Sequence, residues 1–177
     1  MSPGVKVLVT GGVRSGKSRH AESLLAAAAS VTYVAAGPVY DDADWAARIA
    51  AHRARRPGTW STEETRDVAG VLGAAAEPVL VDCLGTWLTG VIDDAGLWEA
   101  PVEEVEAHVL GLLDALLTAL GATGEQVVLV TNEVGLGVVP EHRSARVFRD
   151  LLGTVNQRVA EGCDEVHLVV AGRVLRL

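Results

Sequence analysis

Apolar and polar residues follow two rhythms that alternate along the chain. Short apolar runs stand at residues 5–10, 31–36, 79–81, 127–131 and 165–171, each flanked by glycine, proline or polar positions. Runs with no polar face predict strands buried on both sides, as in a parallel sheet. Between them, apolar residues recur every three or four positions, the period of a helix with one buried face. The pattern predicts helices from Lys17 to about Ala29, from Asp41 to about Arg55 before Pro57, and around 68–72. A long helix starts at Pro101, with Glu103, Glu104 and Glu106 in its first turns and a buried stripe of Val102, Val105, Val109, Leu112, Leu113, Leu116 and Leu120. Another runs from about Glu141 to Glu161 and buries Phe148, Leu151, Leu152, Val155 and Val159. Residues 83–93 read as a short helix and loop, 93–96 as an exposed turn, and 173–177 as a segment pairing with the last strand. Strands alternating with helices predict a single α/β domain over residues 1–177, with a mostly parallel central sheet flanked by helices.

Composition narrows the setting. The chain has 177 residues, 49% apolar and 21% charged, enough for one sizeable core. No unbroken apolar run has the length of a membrane span, and residues 1–4 lack a signal-like segment, so a cytoplasmic protein without a membrane span is expected. Cys83 and Cys163 are far apart and lack metal-ligand spacing, which suits small buried thiols. A net charge of −8 argues against nucleic acid as a partner. Anion binding must then be local, and arginines cluster at Arg48, Arg53, Arg55 and Arg56 and again at Arg143, Arg146 and Arg149. Such clusters are also common on solvated helix faces, and the second set has either phosphates or a partner subunit to face.

The chemistry centres on Gly11-Gly12-Val13-Arg14-Ser15-Gly16-Lys17-Ser18, a complete G-x-x-x-x-G-K-S phosphate loop between a predicted strand and a predicted helix. Gly11 and Gly16 permit the backbone turns that aim successive N–H groups at phosphates, and Lys17 adds a positive charge for the β- and γ-phosphates. The Ser18 hydroxyl stands where a Mg²⁺ ligand is needed, at the start of a helix whose dipole favours an anion. Asp82 closes a strand in the manner of a Walker B acid and is a second candidate metal ligand. Glu133, in the glycine-containing loop after the strand at 127–131, is a candidate base or metal-shell ligand, or alternatively a cap for its own loop. Val34, Ala35 and Ala36 end a strand on the side where α/β sheets bind ligands, and equally suit the core. His52 shares a helix face with Trp45 and Ile49 and is surrounded by arginines. Those charges favour a neutral ring able to attack an α-phosphorus, although packing is the commoner role for such a histidine. A carboxylate at Glu63 or Glu64 suits the donor edge of guanine, and Ser61-Thr62-Glu63-Glu64 equally suits a helix cap.

These elements resemble one family along nearly the whole chain. Residues 11–19, Arg48-Ile49 with His52, Arg56-Pro57 with Trp60 and Thr62, Asp82-Cys83-Leu84 with Trp87-Leu88-Thr89, Thr131-Asn132-Glu133-Val134-Gly135 through Pro140, and Arg143 through Asn156-Gln157-Arg158 are similar to the bifunctional adenosylcobinamide kinase/adenosylcobinamide-phosphate guanylyltransferases of cobalamin synthesis. The resemblance implies phosphorylation of adenosylcobinamide by ATP or GTP, then transfer of GMP from GTP to adenosylcobinamide phosphate, with release of pyrophosphate. It also implies a guanylylated histidine at His52, nucleotide contacts at Arg53, Ala54, Arg55, Arg56, Glu64 and Asp82, and a homotrimer. One departure is Gly90, where the family commonly has asparagine. A GTPase or ATPase switch, or a small-molecule kinase that never retains GMP, would use the same phosphate loop.

Overall fold

In a computed structural model, residues 4–38 and 56–177 are described. They form β1 (Lys6–Thr10), α1 (Lys17–Leu24), β2 (Thr32–Val34), β3 (Ser61–Glu63), α2 (Val68–Gly73) and β4 (Val79–Asp82). The chain continues through α3 (Leu84–Ala95), α4 (Val102–Ala122), β5 (Val127–Val130), α5 (Arg143–Glu161), β6 (Glu165–Val170) and β7 (Arg173–Arg176). The helix expected from Asp41 to Arg55 lies outside the described residues. The strands make one sheet in the order β3-β2-β4-β5-β1-β6-β7, parallel except for β7, which returns antiparallel beside β6.

Both faces of the sheet are covered, which explains the unbroken apolar strands. Val7, Val9, Leu80, Val128 and Val130 pack with Ala21 in the middle of α1 and Leu25 just past its end, on one face. Leu8, Val79, Val81, Val127 and Leu129 pack on the other with Trp87 and Leu88 of α3, Leu113 and Leu116 of α4, and Leu152 and Val155 of α5. Each such fully buried large side chain contributes about 1.5–3 kcal/mol relative to exposure. Among the described residues α4 is the one helix long and apolar enough, by length and composition, to cross a membrane, with mean hydropathy 1.5 over its best window. The unbroken-run criterion passes over it because charged and small residues interrupt its leucines. Val105, Val109, Leu113, Leu116 and Leu120 turn one stripe of α4 into the core.

Several boundaries differ from the sequence expectation. α1 ends at Leu24, one turn or more before Ala29, in an alanine-rich stretch that irregular turns complete. The strand expected over 31–36 is ordered as strand only at Thr32–Val34, and residues 61–63 form an added edge strand beside it. Val102 and Leu112, expected in the stripe of α4, are 44% and 39% exposed. The short helix and loop expected after Asp82 is a 12-residue helix, α3. Cys83 and Thr86 cap its start reciprocally, and Gly96 ends it at φ 65. Asp93 and Asp94 therefore belong to its last turn, where a carboxylate is disfavoured by the helix dipole. Trp98 Nε1 donates to Asp93 at 2.5 Å, and Arg66 pairs with Asp94 at 2.9 Å, which offsets that cost.

The β6–β7 hairpin is fastened to the loop between β1 and α1. Gly172 N–H donates to Ser15 O at 2.8 Å, and Gly172 Cα would lie 3.5 Å from a Cβ on Gly16, whose φ is 98. A Cβ on Gly11 would collide with Val169 O and stand 2.7 Å from Ser15 Oγ. One turn further along α1, His20 Nε2 meets His167 Nδ1 at 2.8 Å, and His167 Nε2 meets Glu165 Oε2 at 2.8 Å. With Glu165 ionised, His167 donates to it through Nε2 and accepts from His20 through Nδ1. His167 is 1% exposed, so this polar chain runs from the surface into the seam between α1 and β6.

Two outcomes follow for stability. Gly11→Ala must displace the Val169 carbonyl and is expected to cost about 1–3 kcal/mol in urea unfolding. Gly12→Ala, with nothing within 4 Å of its new Cβ, is expected to stay within about 0.5 kcal/mol of the parent. His20 is held below its ordinary value of 6.5 by burial first, and then by His167 on β6 and Arg176 on β7. A histidine lowered in the folded state contributes stability that is complete above its unfolded value and is lost as pH falls through the lowered one. The urea midpoint should therefore drop between about pH 7.5 and pH 5, and His20→Gln should shrink that drop.

Candidate functional site

Parallel pairing brings the carboxyl ends of β4, β5 and β1 to one level. Asp82 is in register with Val130, and Thr131 N–H donates to Val9 O at 2.9 Å. The next turn continues the alignment, because Glu133 N–H donates to Gly11 O at 3.2 Å. The phosphate loop, Asp82 and the segment 131–133 thus share one rim of the sheet.

Within the loop, Ser15 N–H bonds to Gly12 O at 3.3 Å, and Arg14 adopts a left-handed conformation with φ 56. Gly16 starts α1 without a side-chain cap, so no side chain competes for its first-turn N–H groups. Lys17 is 7% exposed, and its Nζ donates to Gly12 O at 3.1 Å, holding the ammonium beside the loop. Ser15 Oγ is buried and has no hydrogen-bond partner among the described residues. A cradle with an enclosed cation, an uncapped helix start and an orphaned hydroxyl fits a phosphate chain. Ser18, half-buried in the first turn of α1, and Asp82, half-buried at the end of β4, offer a hydroxyl and a carboxylate. Among the described residues no group of three His, Cys, Asp or Glu could hold a metal. The donors at hand suit a hard cation carried in on phosphates, which needs few protein ligands.

The other sequence candidates occupy varied places. Val34 and Ala36 are fully buried in the core opposite α1, and Ala35, half-buried, donates from its N–H to Glu63 O at 2.9 Å. Glu64 is exposed just past β3. The helix cap considered for residues 61–64 falls elsewhere, since Asp67 accepts from Gly70 N–H at 2.9 Å and starts α2. Arg56 lays its guanidinium 3.6 Å from the centroid of the Tyr33 ring and donates to Thr62 Oγ1 at 3.3 Å. Burial chiefly, then Asp82, pushes the Tyr33 hydroxyl above the usual range, and Arg56 opposes this. Glu133 Oε1 accepts from Gly135 N–H at 2.6 Å, so the carboxylate caps its own loop. Arg143 and Arg146 hold backbone carbonyls, the first those of Trp98 and Ala100 at 2.5 Å and the second those of Pro140 and Glu141 at 3.2 and 2.5 Å. His52, Arg53, Ala54 and Arg55, together with Arg48, lie outside the described residues.

One network at this rim escaped sequence reading. Thr131 Oγ1 donates to Asn156 Oδ1 at 2.6 Å, Asn156 Nδ2 donates to Asn132 O at 3.0 Å, and the Cys83 thiol reaches Asn132 Oδ1 at 3.5 Å. It ties the ends of β4 and β5 to α5 beneath the loop. Its available signal was Asn156, a polar residue between the buried Leu152, Val155 and Val159. Burial first, then Asp82, raises the Cys83 thiol, and burial pushes Cys163 up to about 12, so both stay protonated near neutrality. Both are half-buried rather than enclosed. Gly90 also has a visible reason, because a Cβ there would lie 2.8 Å from Arg66 Nε and 3.4 Å from Ala36 O. Arg66 occupies the space that a side chain at this position would need.

Comparison with known proteins agrees with this geometry. A family model described as cobinamide kinase / cobinamide phosphate guanyltransferase matches residues 7–177. The chain is 43% identical to the bifunctional adenosylcobalamin biosynthesis protein CobU of Escherichia coli over 174 residues, covering 94% of this chain and 96% of the relative. It is 43% identical to CobU of Salmonella typhimurium over 176 residues, with the same coverage, and 42% identical to CobP of Pseudomonas aeruginosa over 170 residues, covering 93% of this chain and 92% of that one. In fold alone it is similar to a solved ATPase from the type III secretion system of pathogenic bacteria, with TM-score 0.55 and 10% identity. That match covers 94% of this chain, which spans 51% of the ATPase. The phosphate loop, the level acids at the strand ends and the matched length converge on one assignment: the chain belongs to the cobinamide kinase / cobinamide phosphate guanyltransferase family.

Proposed function

We propose that this chain carries both transferase activities of its family at the rim built by Gly11–Ser18, Asp82 and Glu133. The observation that carries the reading is the complete phosphate cradle, with Lys17 enclosed beside it, inside a family match over residues 7–177. In the kinase step the acceptor hydroxyl of adenosylcobinamide attacks the γ-phosphorus of ATP or GTP, and the bond to the β-phosphate oxygen breaks. Lys17 and the N–H groups of the loop hold the phosphates, and Glu133 is our candidate for receiving the hydroxyl proton. Its backbone bond to Gly11 O supports that choice, at 3.2 Å. A bound Mg²⁺ would neutralise phosphate charge, and Ser18 and Asp82 are the side chains assigned to hold it.

In the guanylyl step a neutral nitrogen of His52 attacks the α-phosphorus of GTP and pyrophosphate leaves. The phosphate of adenosylcobinamide phosphate then takes the guanylyl group as the phosphorus–nitrogen bond breaks. The assignment of His52, with Arg53, Ala54, Arg55, Arg56 and Glu64 as nucleotide contacts, rests on the family resemblance. A single catalytic domain, a homotrimer and a cytoplasmic location complete the reading.

Incubation with α-³²P-labelled GTP and Mg²⁺, followed by denaturing electrophoresis, should give an acid-labile, alkali-stable label that His52→Ala abolishes. An unlabelled protein that still phosphorylates adenosylcobinamide would leave only the kinase half, and loss of both would remove the reading. Lys17→Ala should lower both activities by about 10²–10³-fold. Sedimentation of the purified chain checks the trimer.

A further inference from the structure

We propose that the loop after β5 is a rigid apolar shelf on which the acceptor's corrin macrocycle rests while its hydroxyl or phosphate reaches the cradle. The inference deepens the proposed function and rests on it. Leu136 is 92% exposed, Val138 94% and Val139 66%, and all three fall within one short stretch of chain. Three exposed aliphatic side chains within four residues give this one loop an apolar surface.

The loop is also held. Glu133 N–H donates to Gly11 O at 3.2 Å, Gly135 N–H to Glu133 Oε1 at 2.6 Å, and Arg149 Nη2 to Gly135 O at 2.8 Å. Its far end is fixed by Arg146, which donates to Pro140 O at 3.2 Å and to Glu141 O at 2.5 Å. Polar bonds thus fasten the backbone at both ends, while the aliphatic side chains between them face water. A surface already ordered in this way loses little entropy when a ligand covers it.

Position decides the occupant. The shelf is joined by a backbone hydrogen bond to the first glycine of the phosphate loop, on the rim where the transferred phosphoryl group must lie. An acceptor attacking there has to place its remaining bulk beside the loop. The family's acceptor is a cobinamide, a broad macrocycle whose periphery carries both methyl groups and amide side chains. Its methyl groups suit aliphatic side chains, and its amides reach solvent or polar neighbours. The homotrimer of the proposed function needs roughly 800 Å² per partner, more than these three side chains supply, so the bulk of its interface must be built from other residues.

The test is steady-state kinase kinetics of the full chain with adenosylcobinamide varied at saturating nucleotide, comparing the parent with Leu136→Ser/Val138→Ser. The KM for adenosylcobinamide should rise by about 10–200-fold, the range for losing apolar contacts in a pocket. The KM for nucleotide and the sedimentation coefficient should stay put. Leu175→Ser serves as the control, since Leu175 is 57% exposed but lies on β7. An unchanged KM for adenosylcobinamide in a folded, active variant overturns the shelf alone. A changed sedimentation coefficient overturns it in favour of an interface between copies. A parent that never phosphorylates adenosylcobinamide overturns the functional reading, and the shelf's occupant falls with it.

Discussion

A cradle of backbone N–H groups for phosphates must stay open when no phosphate is present, and this constraint governs much of the fold. Unpaired donors favour collapse onto the nearest carbonyl, so the loop needs support from outside itself. β1 supplies the first anchor by standing between β5 and β6. The β6–β7 hairpin supplies the second, through Gly172 against Ser15 and through the Val169 carbonyl that leaves Gly11 no room for a side chain. The Glu165–His167–His20 chain supplies a third, one helical turn along. Lys17 then completes the arrangement from within by holding the Gly12 carbonyl.

The rest of the rim follows from parallel pairing. Because β4 and β5 run in register, Asp82 and Thr131 emerge side by side, and the Asn156 bonds hold Thr131 and Asn132 there. Structural polarity is concentrated below the loop, where it fixes geometry. Leu136, Val138 and Val139 place exposed apolar side chains in the loop beside it. The site thus separates a polar floor for phosphates from an apolar flank.

Legibility in the sequence tracks the range of the interaction. The phosphate loop, the central strands, Asp82 and the long helices α4 and α5 are readable because each is written in a local pattern of apolar spacing or glycine placement. β3 is less so, since its three residues are polar and exposed and become strand only by pairing with β2. The length of α3 is hidden by Asp93 and Asp94, whose charges look like a turn until Trp98 and Arg66 are seen to satisfy them. Arg143 and Arg146 look like phosphate or subunit ligands, yet they hold carbonyls of their own chain. The His20–His167 bond joins residues 147 positions apart, and no local pattern announces it. His52 lies outside the described residues, and its assignment rests on family resemblance alone, since packing is the commoner role for a histidine at its spacing.

The position of β1 also bears on how the protein is made. β1 is an early strand whose partners are late ones: the Lys6 N–H donates to the Asp164 carboxylate, 158 positions further on, and β5 arrives only slightly sooner. Until those strands emerge, the apolar residues Val7, Leu8 and Val9 have no sheet to enter. Long-range parallel pairing of this kind forms slowly and leaves apolar surface open meanwhile. A nascent chain therefore carries its nucleotide-binding motif well before it has made the strands that hold that motif open. Affinity for nucleotide is in this sense a signal that the whole sheet has closed.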